Sequence, residues 1–333
     1  MGTRLATSSP AGGQRPQIDF DPDEGPFDWG SYVRWLVATH GTLAAVAVRL
    51  AELRGLAEDA QSVERALRRL RGRGQRDGGS WGLRCLREFG VPRSITERVR
   101  WMGQYHSRFT DLPRSLCLEL LRPWTRSPVA ESAARAWVQL GFTSVMLRGR
   151  FVVEAEEHLR QAEPVAKGAA EAECLLMRAF VEHRRRPVRV PVILEEAESA
   201  ILDLPVGDDR ACLRARLVDQ RGYELNVRTK DPHAAYELYR TLPVGGPPFA
   251  LVRRHNGLGW SALQLGRRDE AIEHARRSVE QAGDAGSLRM RVMALNLLSR
   301  ALGGDDGERV RARALAIASR LEDEELRVRL KRD

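Results

Sequence analysis

Residues 258–272 have the sequence LGWSALQLGRRDEAI, which gives the clearest indication of the fold of this chain. Two glycines, Gly259 and Gly266, stand seven residues apart, and Ala271 follows the second glycine by five residues. Outward from this stretch, apolar residues recur with a period near 3.6 in nearly every segment from about residue 29 onward, and the alternation typical of strands is scarce. The sequence therefore predicts an all-α fold.

The same spacing recurs along the second half of the chain. Gly222 and Ala234 are twelve residues apart, as Gly259 and Ala271 are, and the two units are offset by 37 residues. Similar units are predicted within residues 140–159, 173–201 and 303–315. Self-similarity at a fixed period is the signature of a repeat architecture, so we predict about five helical hairpins over residues 129–325.

These units resemble the tetratricopeptide repeat. The resemblance places Gly259 on the first helix, Gly266 at the turn and Ala271 on the second helix, with small residues where the two helices cross closely. The units run longer than the roughly 34 residues of that family, and a generic stack of α-hairpins is the alternative. Either array is an α-solenoid with an extended concave groove, in which we expect a peptide or protein partner.

Residues 41–82 carry a second informative pattern. Helices are predicted over residues 42–54, with Thr42 as the N-cap, and over residues 60–72. The second helix has one apolar stripe at positions i, i+3, i+4 and i+7, formed by Val63, Ala66, Leu67 and Leu70. Its other side is rich in arginine, because residues 61–76 hold six arginines against Glu64 alone, for a charge of +5.

This order of helix, turn, arginine-faced helix and glycine-rich loop resembles the winged helix-turn-helix of bacterial transcriptional regulators. The resemblance makes residues 62–70 the recognition helix and residues 72–82 the wing, which would consist of two short strands. A helix fits the major groove of DNA, and arginines bind guanine edges or phosphates. The predicted DNA-binding residues are Ser62, Arg65, Arg68, Arg69, Arg73 and Arg76. A solvent-exposed or protein-docking arginine face is the alternative.

Composition excludes several other classes of protein. The 333 residues include 54 Lys and Arg against 45 Asp and Glu, but all except three of the basic residues are arginine, so the excess of +9 is weak evidence for a polyanionic partner. No apolar run approaches the roughly 18 residues that a membrane span needs. Nucleotide-binding and zinc-hydrolase motifs are missing, so we expect no catalytic residue, no metal site and no cofactor. The four cysteines form no CxxC pair, and we expect a cytoplasmic, non-enzymatic protein with reduced thiols.

These patterns predict four segments. A flexible acidic tail covers residues 1–28, a helical winged-helix-like domain residues 29–126, the tetratricopeptide-like solenoid residues 129–325, and a basic tail residues 326–333. The function expected from the two resemblances is that of a DNA-binding transcriptional regulator whose solenoid binds a peptide or protein. The alternative is a protein-interaction scaffold or adaptor subunit of a larger complex, without nucleic-acid binding.

Overall fold

The computed structural model describes residues 26–52 and 59–331, and these residues form α-helices joined by turns, with no strand among them. The all-α prediction is therefore confirmed. Most of the predicted acidic tail, residues 1–25, lies outside the described residues. The helices are α1 (Trp29–His40), α2 (Leu43–Glu52), α3 (Ala60–Arg71), α4 (Gly79–Phe89), α5 (Arg93–Gly103), α6 (Arg114–Leu121), α7 (Arg135–Arg148), α8 (Val152–Ala162), α9 (Ala169–Arg185), α10 (Val190–Leu202), α11 (Asp208–Tyr223), α12 (Pro232–Arg240), α13 (Pro248–Gln264), α14 (Arg268–Asp284), α15 (Leu288–Leu302), α16 (Gly304–Arg320) and α17 (Glu324–Lys331).

Contacts divide the chain into two compact units, residues 1–96 (unit 1) and 97–333 (unit 2). Unit 2 starts earlier than the sequence-based boundary at 126–129, because the residues just after 97 pack onto the helices of the solenoid. Gly103 lies so close to the backbone of Trp137 that a side chain there would overlap it. The Gln104 amide donates a hydrogen bond to Asp209 at 3.0 Å.

Unit 1 is built around α1, α2 and α3, which pack against one another. Each of these helices begins at a residue whose side chain accepts a backbone hydrogen bond, as N-caps do. Asp28 accepts from Ser31 at 2.8 Å, Thr42 from Ala45 at 3.1 Å, and Asp59 caps α3. The prediction of Thr42 as the N-cap is thus confirmed.

Unit 2 contains five successive helical hairpins, in agreement with the sequence prediction for residues 129–325. Neighbouring helices pack in the pairs α7–α8, α9–α10, α11–α12, α13–α14 and α15–α16. Gly259 lies where the predicted close crossing occurs, because a side chain there would meet the backbone of Ala271, the side chain of His274 and the side chain of Leu297. Ala271 is fully buried.

Two glycines pack against one aromatic ring of the third hairpin. Gly222 on α11 and Gly257 on α13 both face the ring of Tyr239 on α12, and a Cβ at either position would overlap that ring. Tyr239 is only 3% exposed, so its ring has little room to move. The predicted small residue at Gly222 therefore makes room for an aromatic side chain of the second helix.

We expect Gly257→Ala to destabilise the protein by about 1–3 kcal/mol, because the added methyl group overpacks a filled core around Tyr239. The overlap outweighs the gain in helix propensity, which is about 1 kcal/mol. Gly245→Ala is the matched control, since no atom lies within 4 Å of its Cβ position, and it should change stability by less than about 0.5 kcal/mol. Urea unfolding measures both values, and equal stability of the two variants would contradict the packing argument.

The C-terminal segment is part of the solenoid. Residues 326–333 were predicted as a basic tail, but through residue 331 they belong to α17, because Leu326 and Leu330 are apolar residues one helical turn apart and bury against α15 and α16. Helix α17 also packs against α7 of the first hairpin. The C-terminal helix thereby contacts the first hairpin as well as the fifth, and the concave face forms a partly open cavity.

The turn between α16 and α17 is hydrogen-bonded to the first residues of α6. The backbone amide of Arg114 donates to the carbonyl of Leu321 at 3.1 Å. Ser115 donates to the Glu322 carboxylate from both its backbone and its hydroxyl, each at 2.8 Å. Arg148, whose side chain is fully buried, donates to the Leu321 carbonyl and to the Leu112 carbonyl. These hydrogen bonds close the ring of hairpins.

Candidate nucleic-acid interface and solenoid cavity

The arginine face of α3 follows directly from its apolar stripe. Val63, Ala66, Leu67 and Leu70 are buried, as predicted, and this fixes the rotation of the helix. The opposite side of α3 and the turn after it then present arginines to solvent. We call this set the arginine face, and its exposed members are Arg65, Arg68, Arg69, Arg71, Arg73 and Arg76.

The predicted DNA-binding residues lie together on this surface but differ in their local contacts. Ser62 accepts a hydrogen bond from Arg65 at 3.0 Å, and its backbone amide is used in capping α3. Arg68 pairs with Glu64 at 2.6 Å, although its side chain remains 67% exposed. Arg73 donates to the Asp77 carbonyl at 2.5 Å. Exposed ion pairs of this kind are weak, so they leave the guanidinium groups able to exchange partners.

Residues 72–82 do not form the predicted wing. They form a turn followed by the first residues of α4, and no strand occurs in this segment. The conformation of this segment is set by Trp29, which is fully buried. The sequence alone did not predict that Trp29 packs against residues 72–82. Its ring lies against Gly78 and Gly82, and its indole N–H donates to the Arg76 carbonyl at 2.9 Å.

The concave side of unit 2 contains a partly open cavity of about 790 Å³. Most of its lining comes from the first helices of hairpins two to five, namely α9, α11, α13 and α15, and from α17, with further residues from α12 and from the segments after α7 and α11. Aromatic and aliphatic side chains form much of the lining: Phe180, Tyr223, Trp260, Val292, Met293, Leu326 and Leu330. The sequence predicted a concave surface here but none of the residues that line it.

A smaller chamber of about 70 Å³ adjoins the cavity and is built around Tyr105. The guanidinium groups of Arg216, Arg289 and Arg253 lie 4.3, 4.8 and 5.7 Å from the centroid of the Tyr105 ring. All three arginine side chains are at most 6% exposed. The Tyr105 hydroxyl accepts a hydrogen bond from Arg253 at 3.4 Å. Cations placed over the face of an aromatic ring are attracted by its negative π-system.

Each of these arginines also has a carboxylate partner. Arg216 pairs with the buried Glu173, Arg253 pairs with Asp219 at 2.6 Å, and Arg289 pairs with Asp323 at 2.9 Å. Burial raises the pKa of Glu173, and the adjacent Arg216 opposes that rise. Buried charges in proteins are retained where they are paired in this way.

The charges of the arginines dominate the surroundings of the Tyr105 phenol. Burial alone raises the pKa of Tyr105, but the charges of Arg289, Arg253 and Arg216 outweigh burial, and the pKa of this phenol is lowered. The pKa values of three buried cysteine thiols shift the other way, because burial is the largest influence on them. It raises the pKa of Cys85, Cys174 and Cys212 to about 12, so these groups are unreactive packing residues.

Comparison of the chain with protein-family models, with curated proteins and with solved structures gave no match. Within residues 26–52 and 59–331, no group of three or more histidine, cysteine or carboxylate side chains is arranged to hold a metal ion. None of the helices described is both long enough and apolar enough to cross a bilayer. The described residues therefore offer two candidate sites, the arginine face of α3 and the solenoid cavity with its chamber.

Proposed function

We propose that the chain is a DNA-binding transcriptional regulator in which α3 contacts double-stranded DNA and unit 2 binds a peptide or protein partner. The observation that carries this proposal is the exposure of six arginines on one helix and the turn that follows it. Such a helix can enter the major groove while neighbouring arginines neutralise phosphates. Without a wing, the contacts come from α3 and from Arg73 and Arg76 in its turn.

Binding of a protein partner is supported by exposed apolar side chains on the second hairpin and its flanking turns. These are Val188, Val192, Leu202 and Val206, which are 57–92% exposed. Apolar residues at a helical outer surface are the material from which protein interfaces are built. A folded partner is too large for the 790 Å³ cavity, so we assign it to the outer surface.

A salt titration against a fluorescent mixed-sequence duplex tests DNA binding. We expect the affinity to fall steeply with salt, because cationic side chains displace condensed counterions. The double variant Arg68→Ala/Arg69→Ala should lower the affinity about tenfold or more and reduce the slope of log affinity against log salt by about 2. The full-length chain is used in both measurements.

Arg276→Ala/Arg277→Ala is a matched control for this experiment. These adjacent arginines on α14 are exposed, and Arg277 pairs with Glu273 at i−4 as Arg68 pairs with Glu64. Equal losses in both double variants would assign binding to overall charge and overturn the role of α3. An absence of binding by the parent protein at low salt would overturn the regulator proposal altogether.

The second candidate function is a protein-interaction scaffold without nucleic-acid binding. The apolar residues on the second hairpin favour it, because they do not require DNA for their use. The same titration separates the two functions, since a scaffold would show no affinity for the duplex.

A further inference from the structure

The chamber at Tyr105 has hydrogen-bonding capacity that the protein does not use. Within the described part of the chain, Arg253 Nε and Arg289 Nη1 are buried donors that have no hydrogen-bond partner. Both residues line the chamber, as does Gln220, whose unpartnered Oε1 is an acceptor and would need a donor. A buried N–H group of a charged side chain that lacks a partner costs free energy, which an acceptor entering the chamber would recover.

The unused N–H groups of the chamber favour an anionic acceptor. The ionised side chains that line it are Arg216, Arg253, Arg289, Arg329, Asp219 and Glu325; Glu173 and Asp323 pair with Arg216 and Arg289 without lining the chamber. The carboxylates therefore match the four arginines in number, but the arginines dominate at the Tyr105 phenol, whose pKa they lower. In a site that is largely removed from water, the N–H groups that these ion pairs leave unused can bind an oxyanion through charge-assisted hydrogen bonds.

The chamber admits only a small group, but it adjoins a larger space whose lining combines apolar side chains with polar and charged ones. At about 30 Å³ per water in the liquid, its 70 Å³ has room for about two water molecules, which suits one carboxylate and not a folded segment. The 790 Å³ cavity beside it falls within the range of about 300–1,000 Å³ that is typical of small-molecule sites. Phe180 and Met293 line both spaces, so one ligand can occupy the two together.

We propose that the cavity of unit 2 binds a small organic carboxylate, with its apolar body against Trp260 and Met293 and its carboxylate in the chamber on Arg253 and Arg289. This site is formed by residues of unit 2 alone and goes beyond the proposed contact of α3 with DNA. Leu326 and Leu330 of α17 line this cavity, and its volume of about 790 Å³ favours a compact ligand over a long peptide.

Octanoate is the probe, and 1-octanol, which has the same chain length without the charge, is its control. Calorimetric titration of the full-length protein should show octanoate binding about tenfold or more tightly than octanol.

Inorganic phosphate and an acidic octapeptide are titrated in parallel. If phosphate competes fully and the octanoate chain adds no affinity, the chamber is an inorganic-anion site and the proposal fails. Binding of the peptide without binding of octanoate, or no octanoate binding up to about 10 mM, overturns it as well.

Two variants locate the site. Gln220→Glu places a carboxylate in the lining of the chamber, where it competes for the same arginines, and should weaken octanoate binding about tenfold or more. Arg253→Gln removes one of the proposed donors and should weaken octanoate binding similarly.

Gln281→Glu is the matched control, because Gln281 lines neither space, and this variant should leave the octanoate affinity unchanged. Thermal unfolding of each variant separates lost binding from lost folding. Unchanged octanoate affinity in a folded Gln220→Glu protein would overturn the assignment to the chamber.

Discussion

Asp323→Ala is expected to lower the free energy of unfolding by about 3–5 kcal/mol, the range for breaking a buried ion pair from one side. Asp323 is fully buried and accepts a hydrogen bond from Arg289 at 2.9 Å, and the Arg148 guanidinium lies 3.5 Å away. Removing this carboxylate leaves two buried guanidinium groups without their shared counter-charge. Urea unfolding followed by circular dichroism measures the change.

Two further substitutions show which role of Asp323 matters. Its other oxygen accepts from the Leu326 amide at 3.0 Å and caps α17. Asp323→Asn retains an acceptor for this cap, so it should lose at least half as much stability as the alanine variant if charge dominates. Glu324→Ala is the control, because Glu324 and its partner Arg327 are both more than 40% exposed, and it should cost less than about 1 kcal/mol. An Asp323→Ala protein as stable as this control would contradict the ion-pair argument.

The repeat architecture could be predicted because its signal is local. Small residues at Gly222, Gly259 and Ala271 are needed wherever two helices of a hairpin meet closely, so they recur at the repeat spacing. The orientation of α3 could be predicted for a similar reason, since an apolar stripe at helical spacing determines which side of a helix is buried. Each of these features lies within one helix or one hairpin.

The wing was predicted incorrectly because a distant residue decides the conformation of that segment. Glycine-rich residues 72–82 are compatible with a strand pair, a turn or a helix start, and Trp29 selects the last two through its packing on Gly78 and Gly82. The i, i+4 spacing of these two glycines at the start of a helix was the available signal, since it creates a flat surface for a large ring. Local composition did not specify which aromatic residue would use it.

The arginines of the chamber recur in the sequence at nearly the repeat spacing. Arg216, Arg253 and Arg289 follow one another at intervals of 37 and 36 residues, close to the 37-residue offset of the hairpins. Residues at equivalent positions of successive first helices line the same side of a solenoid. The sequence could therefore have placed these arginines on the concave face. The position of Tyr105 between them depends on tertiary packing before the first hairpin, which no repeat spacing encodes.

Acid should destabilise the fourth hairpin through a pair of histidines. His255 Nδ1 and His274 Nδ1 are 3.2 Å apart, a distance at which one neutral ring donates to the other. Burial, the neighbouring His274 and Arg254 together lower the pKa of His255 to about 4, and burial also lowers the pKa of His274. Above pH 6.5 both the folded and unfolded chains carry these rings unprotonated, and stability is at its full value.

Below pH 6.5 the unfolded chain takes up a proton at His255, whereas the folded chain does not until about pH 4. Stability therefore falls through this window, by less than about 1.4 kcal/mol per pH unit for one group, because the ring retains some contact with water. Urea midpoints between pH 7 and pH 4.5 should fall less steeply in His255→Gln than in the parent protein. His233→Gln changes an exposed histidine on α12 and should retain the parent slope. If the urea midpoint of His255→Gln fell with pH as steeply as that of the parent protein, buried groups elsewhere would cause the acid sensitivity.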